Sequence, residues 1–222
     1  MLYKISQFFV RIFVTLYFRL KVEGLESVPK QGPYLIVANH ASFLDPILIG
    51  AVVPRIIHYI TYAFFYYHRA IHWYCKRVFC IPIKKEGNDI ATFKKALRLL
   101  RQGELVGIFP EGARSHTGKL AQAQPGVALI ALKAGVPIIP VGIRGTYEAF
   151  PTGARFPKPS PVTLTFGEPF SLDEFLASGQ KPSGEVQVKA AERIMEKIAE
   201  LCGQQAAPPS SSSRSHENNP TR

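Results

Sequence analysis

Apolar positions recur along this chain in two rhythms, one close to the helical period and one of short unbroken runs. The helical rhythm opens the sequence. Across residues 1–22, Phe8, Phe9, Val10, Ile12, Phe13, Val14, Leu16, Tyr17, Phe18 and Leu20 surround Lys4, Arg11 and Arg19, which are spaced by seven and eight. On a helix these three cations share one narrow stripe and the rest of the circumference is apolar. Such an arc is wider than one docking face needs. It predicts a helix in a membrane interface, with basic side chains reaching toward headgroups. A helix docked on the protein's own core is the alternative.

The unbroken runs predict buried strands at Tyr34-Leu35-Ile36-Val37-Ala38, Leu105 to Phe109, Val136 to Ile143 and Val162 to Phe166. Helical spacing fills the intervals. One helix holds Pro46 in its first turn, with Ser42 or Asp45 to cap it, and runs through Ile47, Leu48 and Ile49. Another is capped by Asp89, carries the stripe Ile90, Phe93, Ala96, Leu97 and Leu100, and closes at Gly103, with Lys94, Lys95, Arg98 and Arg101 opposite. A third runs from about Pro125 to Ala134 and stops at Gly135. Ser171 and Glu174 form a capping box for a short helix. The last, about 185–202, buries Val186, Ala190, Ile194, Ile198 and Leu201. Strands alternating with helices predict an α/β domain, a mixed, mainly parallel sheet flanked by helices. The expected organisation is a membrane-interface helix at 1–22, one domain at 23–202, and a disordered Pro-, Ser- and Asn-rich tail at 203–222.

Composition narrows the partners. The 222 residues suffice for one core. Twenty-seven Lys and Arg against 16 Asp and Glu give a formal charge of +11, which calls for a polyanionic partner. The cations lie among long apolar runs rather than on a polar face, which argues against nucleic acid. No cleavable signal pattern is present, and no apolar stretch reaches the roughly 18 residues of a spanning helix. Cys75, Cys80 and Cys202 form no CxxC and read as free thiols of a reducing compartment. The expected location is therefore the cytoplasmic face of the cell membrane, peripheral or monotopic. Residues 54–83 mix Tyr59, Tyr62, Phe64, Phe65, Tyr66, Tyr67, Trp73, Tyr74 and Phe79 with cations, which suits an acyl-lined or interfacial surface, core packing accounting for part of them.

Two segments carry candidate chemistry. His40 follows a strand, and Asp45 lies five residues on across a turn. A carboxylate there can fix the imidazole tautomer and leave the other nitrogen free to take a proton; a turn histidine beside a capping aspartate is the plainer reading. Phe109-Pro110-Glu111-Gly112-Ala113-Arg114-Ser115 follows another strand, where α/β domains build sites. Gly112 lets backbone approach a ligand closely, and Arg114 offers a planar fork for phosphate.

The segments NHASFLD, IPIKK, FPEGARS and VPIIPVGI occur in this order, and over about residues 20–170 the chain resembles the glycerolipid acyltransferase family, bacterial lysophosphatidic acid acyltransferase type. The resemblance implies His40 as general base on an acceptor hydroxyl and Asp45 as its orienting partner, in a direct transfer without an acyl-enzyme. Lys85, Glu111, Gly112, Arg114 and Ser115 are the implied substrate-binding residues. Lys85 and Arg114 would hold the acceptor phosphate, and Glu111 would order that loop or the acceptor. The implied partners are lysophosphatidic acid, a membrane phospholipid surface, and acyl-CoA or acyl carrier protein as acyl donor, with no tightly bound cofactor, no metal and no nucleic acid. The product would be phosphatidic acid.

Two positions depart from the family pattern. Ala113 stands where threonine is frequent, and Lys85 where an arginine is usual, which keeps the charge without the bidentate fork. Rival readings are weaker. Ser42 or Ser115 as a nucleophile lacks the G-x-S-x-G elbow. His68 and His72 as a zinc pair lack the glutamate after the first histidine, Arg69 standing there. A non-catalytic lipid binder is opposed by the intact His40 and Asp45. The cationic helix face at Lys94, Lys95, Arg98 and Arg101 could receive an acidic carrier or CoA phosphates, or simply be solvated.

Overall fold

The apolar run Tyr34–Ala38 is β2, the middle strand of a seven-stranded sheet. The computed structural model describes residues 2–62, 79–83, 90–176 and 182–207. Its strands are β1 (Lys21–Glu23), β2, β3 (Ile57–Tyr62), β4 (Ile81–Ile83), β5 (Leu105–Ile108), β6 (Ile138–Arg144) and β7 (Thr163–Phe166). They lie in the order β1-β7-β6-β2-β5-β3-β4. Every pairing is parallel except β6 with β7. The helices are α1 (Leu2–Tyr17), α2 (Leu44–Val52), α3 (Ile90–Arg101), α4 (Pro125–Ala134), α5 (Thr146–Ala149) and α6 (Gly184–Cys202). Among the described residues, no helix is long and apolar enough to cross a membrane.

Side chains alternate across a strand, so β2 feeds two cores. Leu35 and Val37 join Ala96 and Leu100 of α3, Ala128 and Ala131 of α4, and Ile194 and Ile198 of α6. Ile36 and Ala38 join Val14 of α1, Phe18, and Leu48 and Ile49 of α2. A strand buried on both faces needs apolar residues throughout, as parallel central strands do.

Helix α1 docks by a narrow face. Val14 is buried, with Val10 and Tyr17 packed against the same core. Gln7 Nε2 donates to Gly50 O and Val53 O, both at 2.7 Å, at the end of α2. Carbonyls of a last helical turn lack intrahelical partners, so this one amide closes α2. Ile5, Phe8, Phe9, Ile12, Phe13 and Leu16 remain exposed. The expected stripe is shorter than the sequence implied: α1 ends at Tyr17, and Arg19 lies beyond it with φ 46. Lys4 and Arg11 are the cations the helix carries.

Other expectations shift in detail. Segment 54–83 contributes β3 and β4, and Tyr59 packs in the core rather than on an interfacial surface; residues 63–78, with most of its aromatics and with His68 and His72, lie outside the described residues. Asp89 lies outside them too. Ser171 and Glu174 form no capping box. Ser171 Oγ instead donates to Asp173 Oδ2 at 2.8 Å and accepts from Asp173 N, and only a 3-10 turn, Asp173–Phe175, follows. In α6, Met195, Ala199 and Cys202 are buried while Leu201 is only partly so. Packing continues past residue 203, since Gln204 accepts from Leu120 N at 3.1 Å and donates to Gly118 O at 3.2 Å. Residues 208–222 of the expected tail lie outside the described residues.

Gly107 in β5 shows how the sheet shapes the site. A Cβ there would stand 2.6 Å from Tyr59 ring carbons and 2.7 Å from Ile57 Cγ2. The Tyr59 ring lies parallel to that of Phe109 just past β5, centroids 6.0 Å apart. Gly107→Ala should overpack this seam and lower stability by about 1–3 kcal/mol, read as a fall in the denaturant midpoint.

Candidate active site

Strands β2 and β5 are adjacent and parallel, so the segments leaving their carboxyl ends emerge side by side. The first is Asn39 to Leu44 and the second Phe109 to Ser115. Asn39 closes the end of β2 against β6: its Nδ2 donates to Ile143 O at 2.9 Å and its Oδ1 accepts from Ile143 N at 2.7 Å. The buried Cys202 Sγ donates to the same Oδ1 at 3.3 Å.

From this anchor the chain wraps around Asp45. Its carboxylate is fully buried, and Oδ2 lies 2.8 Å from His40 Nδ1, accepting also from Ala41 N at 2.8 Å and Ser42 N at 2.7 Å. Asp45 sits in the first turn of α2, where the helix dipole favours negative charge. Neither Ser42 nor Asp45 is the expected cap, since the N-cap position is Phe43 and makes no side-chain cap hydrogen bond. Asp45 reaches back over the preceding turn, while Ser42 Oγ accepts from Leu44 N at 3.2 Å and donates to Phe150 O at 2.8 Å. Ser42 is buried with its hydroxyl engaged twice, an arrangement unsuited to a nucleophile. An ionised Asp45 holds the proton on Nδ1 of His40, leaving Nε2 as the basic nitrogen.

The second segment braces the histidine from three sides. Glu111 Oε1 accepts from His40 N at 2.7 Å, and Oε2 accepts from Ala121 N at 3.0 Å. Ser115 N donates to His40 O at 2.7 Å. Phe109 stacks on the imidazole, centroids 4.1 Å apart and planes 18° from parallel. Gly112 has φ 73, the left-handed region that favours glycine, and its N–H donates to Phe109 O at 3.1 Å.

Of the residues named from sequence, His40, Asp45, Glu111, Gly112, Arg114 and Ser115 come together, and Lys85 lies outside the described residues. Arg114 covers the Phe43 ring, Cζ 3.5 Å from the centroid, just ahead of α2. Burial draws its pKa below the ordinary value, and the Asp45 carboxylate opposes that shift. Both oxygens of Glu111 are committed to backbone amides, so of its two expected roles the geometry serves the ordering of the loop. Ser115 Oγ donates to Lys119 O at 2.8 Å and accepts from Thr117 N, closing its own turn. Asn39, Phe43 and Phe109 were in plain view inside the motifs but had no assigned role. Among the described residues, no three His, Cys, Asp or Glu side chains gather to hold a metal ion.

The family model described as Acyltransferase matches residues 19–144, a span that contains His40, Asp45, Glu111, Gly112, Arg114 and Ser115. The chain belongs to the acyltransferase family. It is 26% identical to the 1-acyl-sn-glycerol-3-phosphate acyltransferase of Bacillus subtilis over 201 residues, 90% of this chain and 96% of that one. The chloroplastic 1-acyl-sn-glycerol-3-phosphate acyltransferase LPAT1 of Arabidopsis thaliana is 29% identical over 154 residues, 68% of this chain but 43% of that one. The chain thus spans nearly all of the bacterial relative and under half of the plant one. Among solved structures, the 1-acyl-sn-glycerophosphate (LPA) acyltransferase of Thermotoga maritima superposes with a TM-score of 0.67 at 28% identity, covering 90% of this chain and 81% of that one. The protein is an acyltransferase-type enzyme built on that mixed α/β sheet.

The acyltransferase loop also carries a titration. Burial raises the Glu111 pKa from 4.5 to about 7, the amides of His40 and Ala121 pulling it down and the Asp45 charge adding to the rise. The folded chain therefore holds this proton more tightly than the unfolded chain. Its contribution to stability is complete below about pH 4.5 and is lost as pH rises through about 7. Denaturant midpoints of wild type relative to Glu111→Gln should fall between about pH 5 and pH 8. A pH-independent difference would show that this carboxyl does not titrate in that window.

Proposed function

We propose that this enzyme moves a fatty acyl group from acyl-CoA or acyl carrier protein to the sn-2 hydroxyl of lysophosphatidic acid, forming phosphatidic acid at a membrane surface. The observation that carries this reading is the His40–Asp45 pair at 2.8 Å, held at the end of the central strand with Arg114 close by. The names of its bacterial and plant relatives supply the acceptor.

The geometry supports a direct transfer. His40 Nε2 takes the proton of the acceptor hydroxyl as its oxygen attacks the thioester carbonyl, and Asp45 stabilises the imidazolium. The tetrahedral intermediate collapses with cleavage of the C–S bond, and the imidazolium returns its proton to the leaving thiolate. Arg114 supplies a cation for the acceptor phosphate, and Lys85 a second. Positioned base catalysis contributes about 10²–10⁴ in rate; alignment of the reactants and stabilisation of the oxyanion supply the remainder. Backbone amides beside Gly112 are the candidate donors; the Gly112 N–H itself is engaged with Phe109 O.

The substrate and product both reside in bilayers, and the exposed apolar arc of α1 with Lys4 and Arg11 is the surface we assign to the membrane. Each such cation near an anionic leaflet adds about 1 kcal/mol of attraction.

The test is transfer from labelled acyl-CoA and acyl carrier protein to a panel of lyso-lipids in detergent micelles. Phosphatidic acid should form with wild type. His40→Ala should lose about 10²–10⁴ in kcat while still folding, with a lowered thermal midpoint because the buried Asp45 carboxylate loses one of its three partners. Transfer only to other lyso-lipids would move the acceptor assignment, and full activity in the folded His40→Ala variant would sink the mechanism.

A further inference from the structure

Phe156 and Leu16 are the most exposed large apolar side chains described, at 76% and 75%. Leu16 is on the outward arc of α1 and Phe156 in the loop between α5 and β7, far apart in sequence. Their chain neighbours are nevertheless bonded: Tyr17 Oη donates to Pro157 O at 3.0 Å. The loop is held at its base as well, with Lys158 N donating to Ala149 O at 2.7 Å and Val162 N to Phe18 O at 3.0 Å.

The periodicity of α1 fixes which margin this loop borders. At 3.6 residues per turn the exposed arc passes from Phe8 through Ile12, Ile5 and Leu16 to Phe13. Arg11 and Lys4 follow the Phe8 margin. Tyr17 follows the opposite margin, its ring stacked on Phe13 with centroids 5.2 Å apart. The loop tied to Tyr17 therefore continues the apolar arc on the side where α1 itself has no cation. It brings its own: Arg155 and Lys158 are both exposed and flank Phe156.

We propose that residues 151–158 form a second membrane-contact element. Phe156 enters the interfacial region of an anionic phospholipid bilayer beside α1, and Arg155 and Lys158 meet lipid phosphates. An aromatic ring at an exposed loop tip gains by leaving water, and its flanking cations select a negatively charged surface. The proposal rests on the membrane reading of α1 given above. It adds a geometric consequence. At the loop's base, Phe150 O accepts from Ser42 Oγ at 2.8 Å, and the Phe150 ring lies 6.4 Å from Phe43, the ring beneath Arg114. Two contacts fix the rotation about the helix axis that α1 alone would leave free, and the second is hydrogen-bonded to the turn that holds Asp45.

The experiment is co-sedimentation of the full chain with phosphatidylcholine vesicles, with and without phosphatidylglycerol. Wild type should bind the anionic vesicles in a salt-dependent way. Phe156→Ser should weaken that partitioning about tenfold. The double variant Arg155→Gln, Lys158→Gln should weaken it by about the same factor and flatten its salt dependence. The thermal midpoint should not move in either, since all three side chains are exposed. Wild-type binding with both variants within about twofold of it would overturn this proposal and leave the role of α1 standing. Wild type that binds no vesicle would overturn both.

Discussion

The Oδ2 atom of Asp45 accepts from Ala41 N and Ser42 N and faces His40 Nδ1, and the segment after β2 takes its shape around that oxygen. Removing a carboxylate from water costs several kcal/mol unless donors replace the lost hydration. Three converge here, and the first turn of α2 adds the positive end of a helix dipole. The tight turn from His40 to Leu44 is the path that brings all three to one atom. Structure and chemistry share the arrangement, because the donors that make the buried charge tolerable include the ring whose proton it holds.

The second segment gives that histidine a fixed position rather than a fixed charge. Glu111 and Ser115 hold the backbone N–H and C=O of His40, and Phe109 covers the ring. The parallel pairing of β2 with β5 makes this possible, since it releases both segments on the same edge of the sheet. Antiparallel neighbours would have sent them to opposite edges. Asn39 anchors the same point to β6, so β2 and β6 meet at the residue before His40.

Much of this was legible in the sequence for identifiable reasons. β2, β5 and β6 are unbroken apolar runs because strands buried on two faces allow nothing else, and the glycines at 103 and 135 mark helix ends by their backbone freedom. The His40 and Asp45 spacing carried the pair, and the ordered motifs carried the family. What stayed hidden depends on distant partners. β1 and β4 are three residues each and have no period to read; they are strands because β7 and β3 lie beside them. β3 carries His58 and Tyr59 within an aromatic and basic stretch that suggested a surface. Glu111 looked as much like a ligand for substrate as for backbone, because nothing local reveals that His40 N and Ala121 N flank it. Ser171 chose Asp173 over Glu174, a preference of turn geometry that the spacing rule does not encode.

Helix α2 is short, and its two ends answer to different parts of the molecule. Asp45 and the turn around His40 occupy one end, and Gln7 from α1 closes the other through Gly50 O and Val53 O. The greasy N-terminal helix is thus also a splint for the element that carries Asp45. Trimming the chain after residue 17 to gain solubility would strip two carbonyls of their donor and bare the core face beneath Val14. A shortened enzyme with low activity on water-soluble acceptors would then say little about membranes, since the loss could begin at the far end of α2.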